Sequence, residues 1–171
     1  ANAVYILDEG SFEIISENKA IFKVKQVVAI LNSKAKWHAT KTLGYDKDVK
    51  VNFLEGKKYD SNGKLISKLK KGDIIDQSGY DGFTIYSDNR LKHADLRQGT
   101  YPFIVEFEYE MEYKYTYYIP DWEVLPDENI SVLKSTYKIK APVDYKPRVK
   151  IENSNKLFRE KIENIVKKQS I

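Results

Sequence analysis

The chain has 171 residues, a net charge of +4, 42% hydrophobic and 13% aromatic residues, and no cysteine. That length suits one domain, or one domain with an appended segment, and the apolar fraction is enough for a core. Without cysteine there is no disulfide, no thiolate nucleophile and no cysteine-ligated metal, and no run approaches the roughly 18 apolar residues of a membrane span.

Charge is unevenly spread: residues 101–130 are acidic with Lys114 as their one base, whereas 134–171 are strongly basic. The chain opens on Ala1 rather than Met, which removal of a signal peptide and truncation would both produce.

Residues 3–7 and 11–15 are short β-prone runs around Asp8-Glu9-Gly10, which predicts a hairpin turn. Over residues 20–31, Phe22, Val24, Gln26, Val28 and Ile30 alternate with a second row, predicting a longer strand. Asn32-Ser33 breaks it, and β character resumes over 37–42. Val49, Val51 and Phe53 alternate with Lys50, Asn52 and Leu54 in a strand that Glu55-Gly56 is expected to close. Asp60-Ser61-Asn62-Gly63 predicts a tight turn between two short strands. Residues 68–72 read as a charged turn. Residues 79–97 interleave glycine, aspartate and tyrosine, and read as a long connection holding one short strand or a helical turn.

The strongest signal runs over 100–122. Phe103, Val105, Phe107, Tyr109, Met111, Tyr113, Tyr115, Tyr117 and Ile119 occupy every second position, and Glu106, Glu108, Glu110 and Glu112 lie between them. Successive side chains on a strand point to opposite faces, so this predicts a strand with one face in the core and exposed glutamates on the other. Unbroken it would span about 55 Å, so a bend or bulge is expected within it. Residues 130–140 place lysines between apolar residues, and pairing of the glutamate row with these lysines or another basic strand is expected. Residues 143–151 are the next predicted strand. In 154–171, Leu157, Phe158, Ile162, Ile165 and Val166 fit a helical stripe capped by Asn153 or Ser154, and fit two strands turning at Glu163-Asn164 as well. The pattern predicts an all-β chain: an antiparallel β-sandwich over 1–152, with 153–171 as its last segment or a link onward.

Little in the chain points to catalysis. His38 and His93 are the two histidines, no G-x-S-x-G elbow is present, and neither histidine has a second zinc ligand at a usual spacing. Asp60-x-Asn62-Gly63 departs from the calcium-loop pattern at its glycine and its last acid. Asp73, Asp76, Asp81 and Asp88 are acids that a cation would need to gather; solvated loop carboxylates are the ordinary alternative. No cofactor or metal is expected. The basic end carries no nucleic-acid signature, because its lysines alternate as in a wet sheet face.

Two candidate binding sets remain. Trp37, Tyr118 and Trp122, with Tyr80, would form an aromatic platform for sugar if exposed; packing in the core or at a sheet edge is the competing reading. In the 79–97 connection, Tyr80, Phe83 and Tyr86 recur every third residue, with Asp81, Asp88 and Arg90 nearby. Long loops are disproportionately functional, so this one is the candidate partner contact; aromatics that merely pin the loop are the alternative.

Several segments together resemble a known family. They are Ala3-Val4-Tyr5-Ile6-Leu7-Asp8-Glu9-Gly10, then Asp60-Ser61-Asn62-Gly63-Lys64 before Asp73-Ile74, and Tyr86-Ser87-Asp88-Asn89-Arg90. Gly99 then leads into Val105-Glu106-Phe107-Glu108-Tyr109, followed by Ile119-Pro120-Asp121-Trp122 and Pro142. In that order they resemble the mostly β domain of unknown function found N-terminal to transglutaminase-like domains in exported bacterial proteins. The resemblance implies antiparallel β architecture, strands rather than a helix in the tail, and a periplasmic, cell-surface or secreted location. It also implies a longer parent whose papain-like Cys-His-Asp core lies downstream; no such catalytic residue transfers to this chain. The expected role is a non-catalytic accessory domain that docks on that downstream domain or binds a peptide partner. A carbohydrate-binding module and a hydrolase are the alternatives.

Overall fold

The structure, a computed structural model, describes residues 1–79, 88–125, 127–145, 148 and 150. The chain divides into two compact units, Ala1–Lys140 and Ala141–Ile171. In the second, the Tyr145 N–H donates to the Pro142 carbonyl at 3.0 Å, closing a turn. Residues 143–145 lie in or beside that turn rather than in the expected strand; most of 146–151, and the whole tail with its helix-or-strand choice, fall outside the described residues.

The first unit is all-β. Its strands are β1 (Ala3–Ser16), β2 (Lys19–Ile30), β3 (Thr40–Tyr45), β4 (Val49–Asp60), β5 (Leu65–Lys68), β6 (Ile75–Ser78), β7 (Arg90–Asp95), β8 (Phe103–Tyr113), β9 (Ile130–Val132) and β10 (Ser135–Lys140). Seven form one sheet in the order β10-β1-β2-β8-β4-β5, with β9 also beside β1; the other three form a sheet in the order β3-β7-β6. The two sheets pack together as a sandwich. The larger one is mixed, because β9 and β10 run parallel to β1 while the other pairings are antiparallel.

β8 lies between β2 and β4 and organises the core. Its residues alternate buried and half-buried from Phe103 to Tyr113, as the period of two requires. Phe103, Val105 and Phe107 are essentially inaccessible, and Val28 and Val24 flank the same row from β2. The buried row stops at Tyr113, short of the expected Ile119. Beyond Lys114, whose N–H donates to Asp48 O, the chain leaves the ladder; Tyr115 and Tyr117 stack on each other at 4.5 Å and Tyr117 is exposed.

The glutamate row is less exposed than expected. Glu106 and Glu110 keep only 14% and 17% of their side-chain surface, because Lys25 and Lys57 lie over the first and Lys23 and Asn52 over the second. Lys57 reaches Glu106 at 3.1 Å and Lys23 reaches Glu110 at 3.0 Å, while Lys25 lies between Glu106 and Glu108. The partner strands are therefore β2 and β4; Lys134, at the basic end, pairs with Glu9.

Three local expectations are corrected. Asp8-Glu9-Gly10 is no turn: β1 is continuous, and the turn into β2 is at Glu17-Asn18. Asp8 faces inward and accepts the Gln26 amide at 2.8 Å, and Gly10 faces the Trp122 ring so closely that a Cβ would stand 2.8 Å from its Cη2. Gly56 likewise lies within β4 rather than closing it; a Cβ there would meet Leu96 at 3.0 Å, so the glycine makes room for Leu96, just beyond β7. Residues 33–39 form a 3-10 helix, with Asn32 accepting the Lys34 N–H at its start, so the β character expected from residue 37 begins only at Thr40, where β3 starts. The Asp60–Gly63 turn is as expected, with Gly63 at φ +82°.

Candidate functional site

The predicted contact connection, 79–97, contains β7 as its one short strand, and its residues 79–89 join β6 to β7. Register sets Asp76 opposite Lys92 and Ser78 opposite Arg90, while β3 brings Tyr45 to the other side of Arg90. Four polar groups from three strands therefore meet. Asp76 accepts from Lys92 Nζ at 2.8 Å, from the Tyr45 hydroxyl at 2.8 Å and from Arg90 Nε at 3.0 Å. These donors, Lys92 foremost, hold its carboxyl down to about 2. Arg90 is held above its ordinary value by Tyr45 and Asp76. Beside the cluster is an open pocket of about 670 Å³, lined among others by Tyr45, Asp46, Gln77, Ser78, Asn89 and Arg90. Two of its lining residues are joined where the Gly79 N–H donates to Asn89 O at 2.7 Å.

Of the residues named from sequence, Arg90 belongs to this cluster as the first residue of β7, and Asp88 is exposed just before it. Tyr80, Asp81, Phe83 and Tyr86 lie outside the described residues. Asp73 accepts the Lys70 N–H at 2.8 Å. Among the described residues no group of three or more His, Asp or Glu side chains is arranged for a metal.

The aromatic candidates occupy different settings. Trp37, on the 3-10 helix, is 62% exposed, with the Arg97 guanidinium 4.6 Å and Lys36 Nζ 5.0 Å from its ring. Arg97 is itself held by Asp95 at 2.5 Å. Trp122 lies flat on Tyr137, 5.1 Å between centroids and 9° apart, and donates its indole N–H to Ser135 Oγ at 2.8 Å. Tyr118 is half-exposed.

Neither histidine lines the pocket. His93 shares a hydrogen bond with Thr42 at 2.8 Å. His38 Nδ1 shares one with the Tyr5 hydroxyl at 3.0 Å, and its Nε2 is 3.9 Å from Asp127. Burial keeps His38 below its ordinary value and pushes Tyr5 up to about 12.

A polar cluster inside the sandwich is a further feature. Asp8, 3% exposed, takes the Gln26 amide, and Gln26 accepts from Lys41 Nζ. Lys41 also lies over the rings of Phe107 and Tyr109. Burial raises Asp8 and lowers Lys41, each opposed by attraction to the other. Its sequence signal is Gln26, a polar residue inside the apolar row from Phe22 to Ile30.

In fold, the chain is similar to the crystal structure of a protein from Parabacteroides distasonis ATCC 8503 described as "a putative protease", with a TM-score of 0.66 at 11% identity. The match covers 83% of this chain and 29% of that one, so the shared architecture is under a third of the solved protein. No curated protein matches this sequence. Residues 16–170 match the domain of unknown function with solved structure DUF3857, and the chain belongs to that family.

Proposed function

We propose that this chain is a non-catalytic interaction domain of a longer, exported polypeptide, and that it docks on a neighbouring domain through the pocketed end of its smaller sheet. The observation that carries this reading is the fold match, in which the same architecture takes up 29% of a longer solved chain. The chemistry implied by that protein's description then belongs to other parts of such a polypeptide, a transglutaminase-like core being the one expected. The polar groups here support a binding role. Asp76 is saturated by three donors, His38 is tied to Tyr5, and Asp8, Gln26 and Lys41 satisfy one another inside the fold. The pocket lined by Gln77, Ser78, Asn89 and Arg90 offers backbone and amide groups at an exposed strand end, which suits recognition of another polypeptide.

The test is to produce this chain and the rest of its parent polypeptide separately. Calorimetric titration of one into the other is expected to show binding, and the isolated chain is expected to turn over neither peptides nor esters. Turnover by the isolated chain would replace this reading with the hydrolase one. A specific signal on a glycan array, lost with Trp37→Ala, would replace it with the carbohydrate-binding one.

A further inference from the structure

The other end of the larger sheet carries a second recognition feature. β5 is its outer strand: it pairs with β4 through Lys57↔Lys68, Lys58↔Ser67 and Tyr59↔Leu65, and among the described residues no strand meets its other side. Lys64 O accepts the Asp60 N–H at 2.9 Å and the Leu69 N–H donates to Gly56 O at 2.7 Å, so the backbone faces β4 at both ends. Backbone groups alternate in direction along a strand. Those of Leu65 and Lys68 therefore point away from β4, and the register shift at Lys58/Tyr59 absorbs the odd residue, Ile66.

The side chains on this edge have a definite chemistry. Leu65 and Ile66 are 44% and 50% exposed. Lys64, Lys68, Lys70 and Lys71 are exposed, and no ion pair engages them among the described residues. Lys68 stands directly across from Lys57, whose ammonium Glu106 already engages at 3.1 Å. The registers also align Val4, Ala29, Ile104, Tyr59 and Leu65 as one apolar row across the outer sheet face, ending at β5. A strand added beyond β5 would extend that row.

We propose that β5 is a docking edge for an extended acidic segment of another protein, which adds to the sheet as a further strand. Outward backbone groups supply the ladder, Leu65 and Ile66 supply apolar contact, and the lysines select the partner's charge. Lysines on an edge also discourage edge-to-edge pairing between copies of a protein, which is the same selection seen from the other side: a second basic β5 is repelled and an acidic strand is admitted. None of the pocket-lining residues belongs to β5, so this edge stands or falls apart from the docking reading above.

The probes are two blocked peptides, one of alternating glutamate and valine and one of alternating lysine and valine, titrated calorimetrically into the chain. The acidic peptide is expected to bind at least about tenfold more tightly than the basic one, and more weakly in about 0.5 M salt. Leu65→Pro removes an N–H that β4 does not use; it is expected to cost about tenfold in affinity at unchanged melting temperature. Lys64→Glu with Lys68→Glu is expected to invert the charge preference. Equal binding of the acidic peptide to L65P would reduce the effect to diffuse attraction and overturn strand addition, as would no binding at all. A dimer in sedimentation that L65P abolishes would make a second copy the occupant and overturn the acidic partner. Should L65P lower the melting temperature, amide exchange in the unmodified chain decides: slowed exchange at Leu65 and Lys68 with acidic peptide supports the proposal, and unchanged exchange overturns it.

Discussion

Adding one methyl group at Gly10 should destabilise the fold, although the residue lies within a strand, where replacing glycine ordinarily helps. An alanine Cβ there would stand 2.8 Å from Cη2 and 2.9 Å from Cε3 of Trp122. Carbon atoms rest at about 3.5–4.0 Å, so the indole must move by about 1 Å. It is held by stacking on Tyr137 and by its N–H to Ser135 Oγ, so movement weakens both. Overpacking of this kind costs about 1–3 kcal/mol, and relief of glycine's backbone entropy returns about 0.5–1 kcal/mol. The net expectation for Gly10→Ala is a loss of up to about 2.5 kcal/mol. Urea unfolding followed by far-UV circular dichroism reads it as a lower midpoint at unchanged slope. In a Trp122→Ala background the clash is gone and Gly10→Ala should become neutral or stabilising. A stabilising Gly10→Ala in the otherwise unchanged chain would refute the Trp122 packing.

Phe107→Ala, at a 1% exposed position beside Val24 and Gln26 in the central rows, should cost about 3–5 kcal/mol by the same unfolding assay. Lys41→Met leaves Asp8 and Gln26 with an unmet acceptor and should cost about 1–3 kcal/mol; adding Asp8→Asn should recover part of it, as a double-mutant cycle would show. His38 titrates below its unfolded value of 6.5, so it favours the folded state when neutral. That contribution is complete above the unfolded value and is lost as pH falls through it towards the folded one. Stability should therefore slope down as pH falls below about 6.5, and His38→Gln, which can still accept from Tyr5, should flatten the slope. Lys25→Glu, facing Glu106 and Glu108 at a half-buried surface position, should cost about 1 kcal/mol and be eased by salt.

What the sequence disclosed was mostly local. The period of two in Phe103–Tyr113 identifies both faces of β8 without knowledge of its neighbours, and Asp60–Gly63 identifies its turn because the left-handed position belongs to Gly63 itself. Asp8-Glu9-Gly10 misleads because its glycine answers to Trp122, far along the chain, and its aspartate to Gln26 and Lys41. Gly56 is misread for the same reason: Leu96 and Phe107 need its missing Cβ. Alternation gives a strand's faces but not its partners, which is why the lysines over Glu106 and Glu110 and the parallel course of β10 were not legible. Arg90 was singled out in the candidate site, yet Tyr45, Asp76 and Lys92 come from three separate strands and share no local pattern.

The proposed docking places the contact at the end of β6 and β7. Gln77 and Asp88 are exposed there, and Gln77 lines the pocket. Gln77→Arg with Asp88→Lys changes the charge of that surface without touching the Asp76 cluster. The decisive measurement is the affinity of this variant for the separately produced remainder of the parent polypeptide, taken with its melting temperature. The prediction is an affinity lowered by at least about tenfold at an unchanged melting temperature. Affinity equal to that of the unsubstituted chain would contradict it.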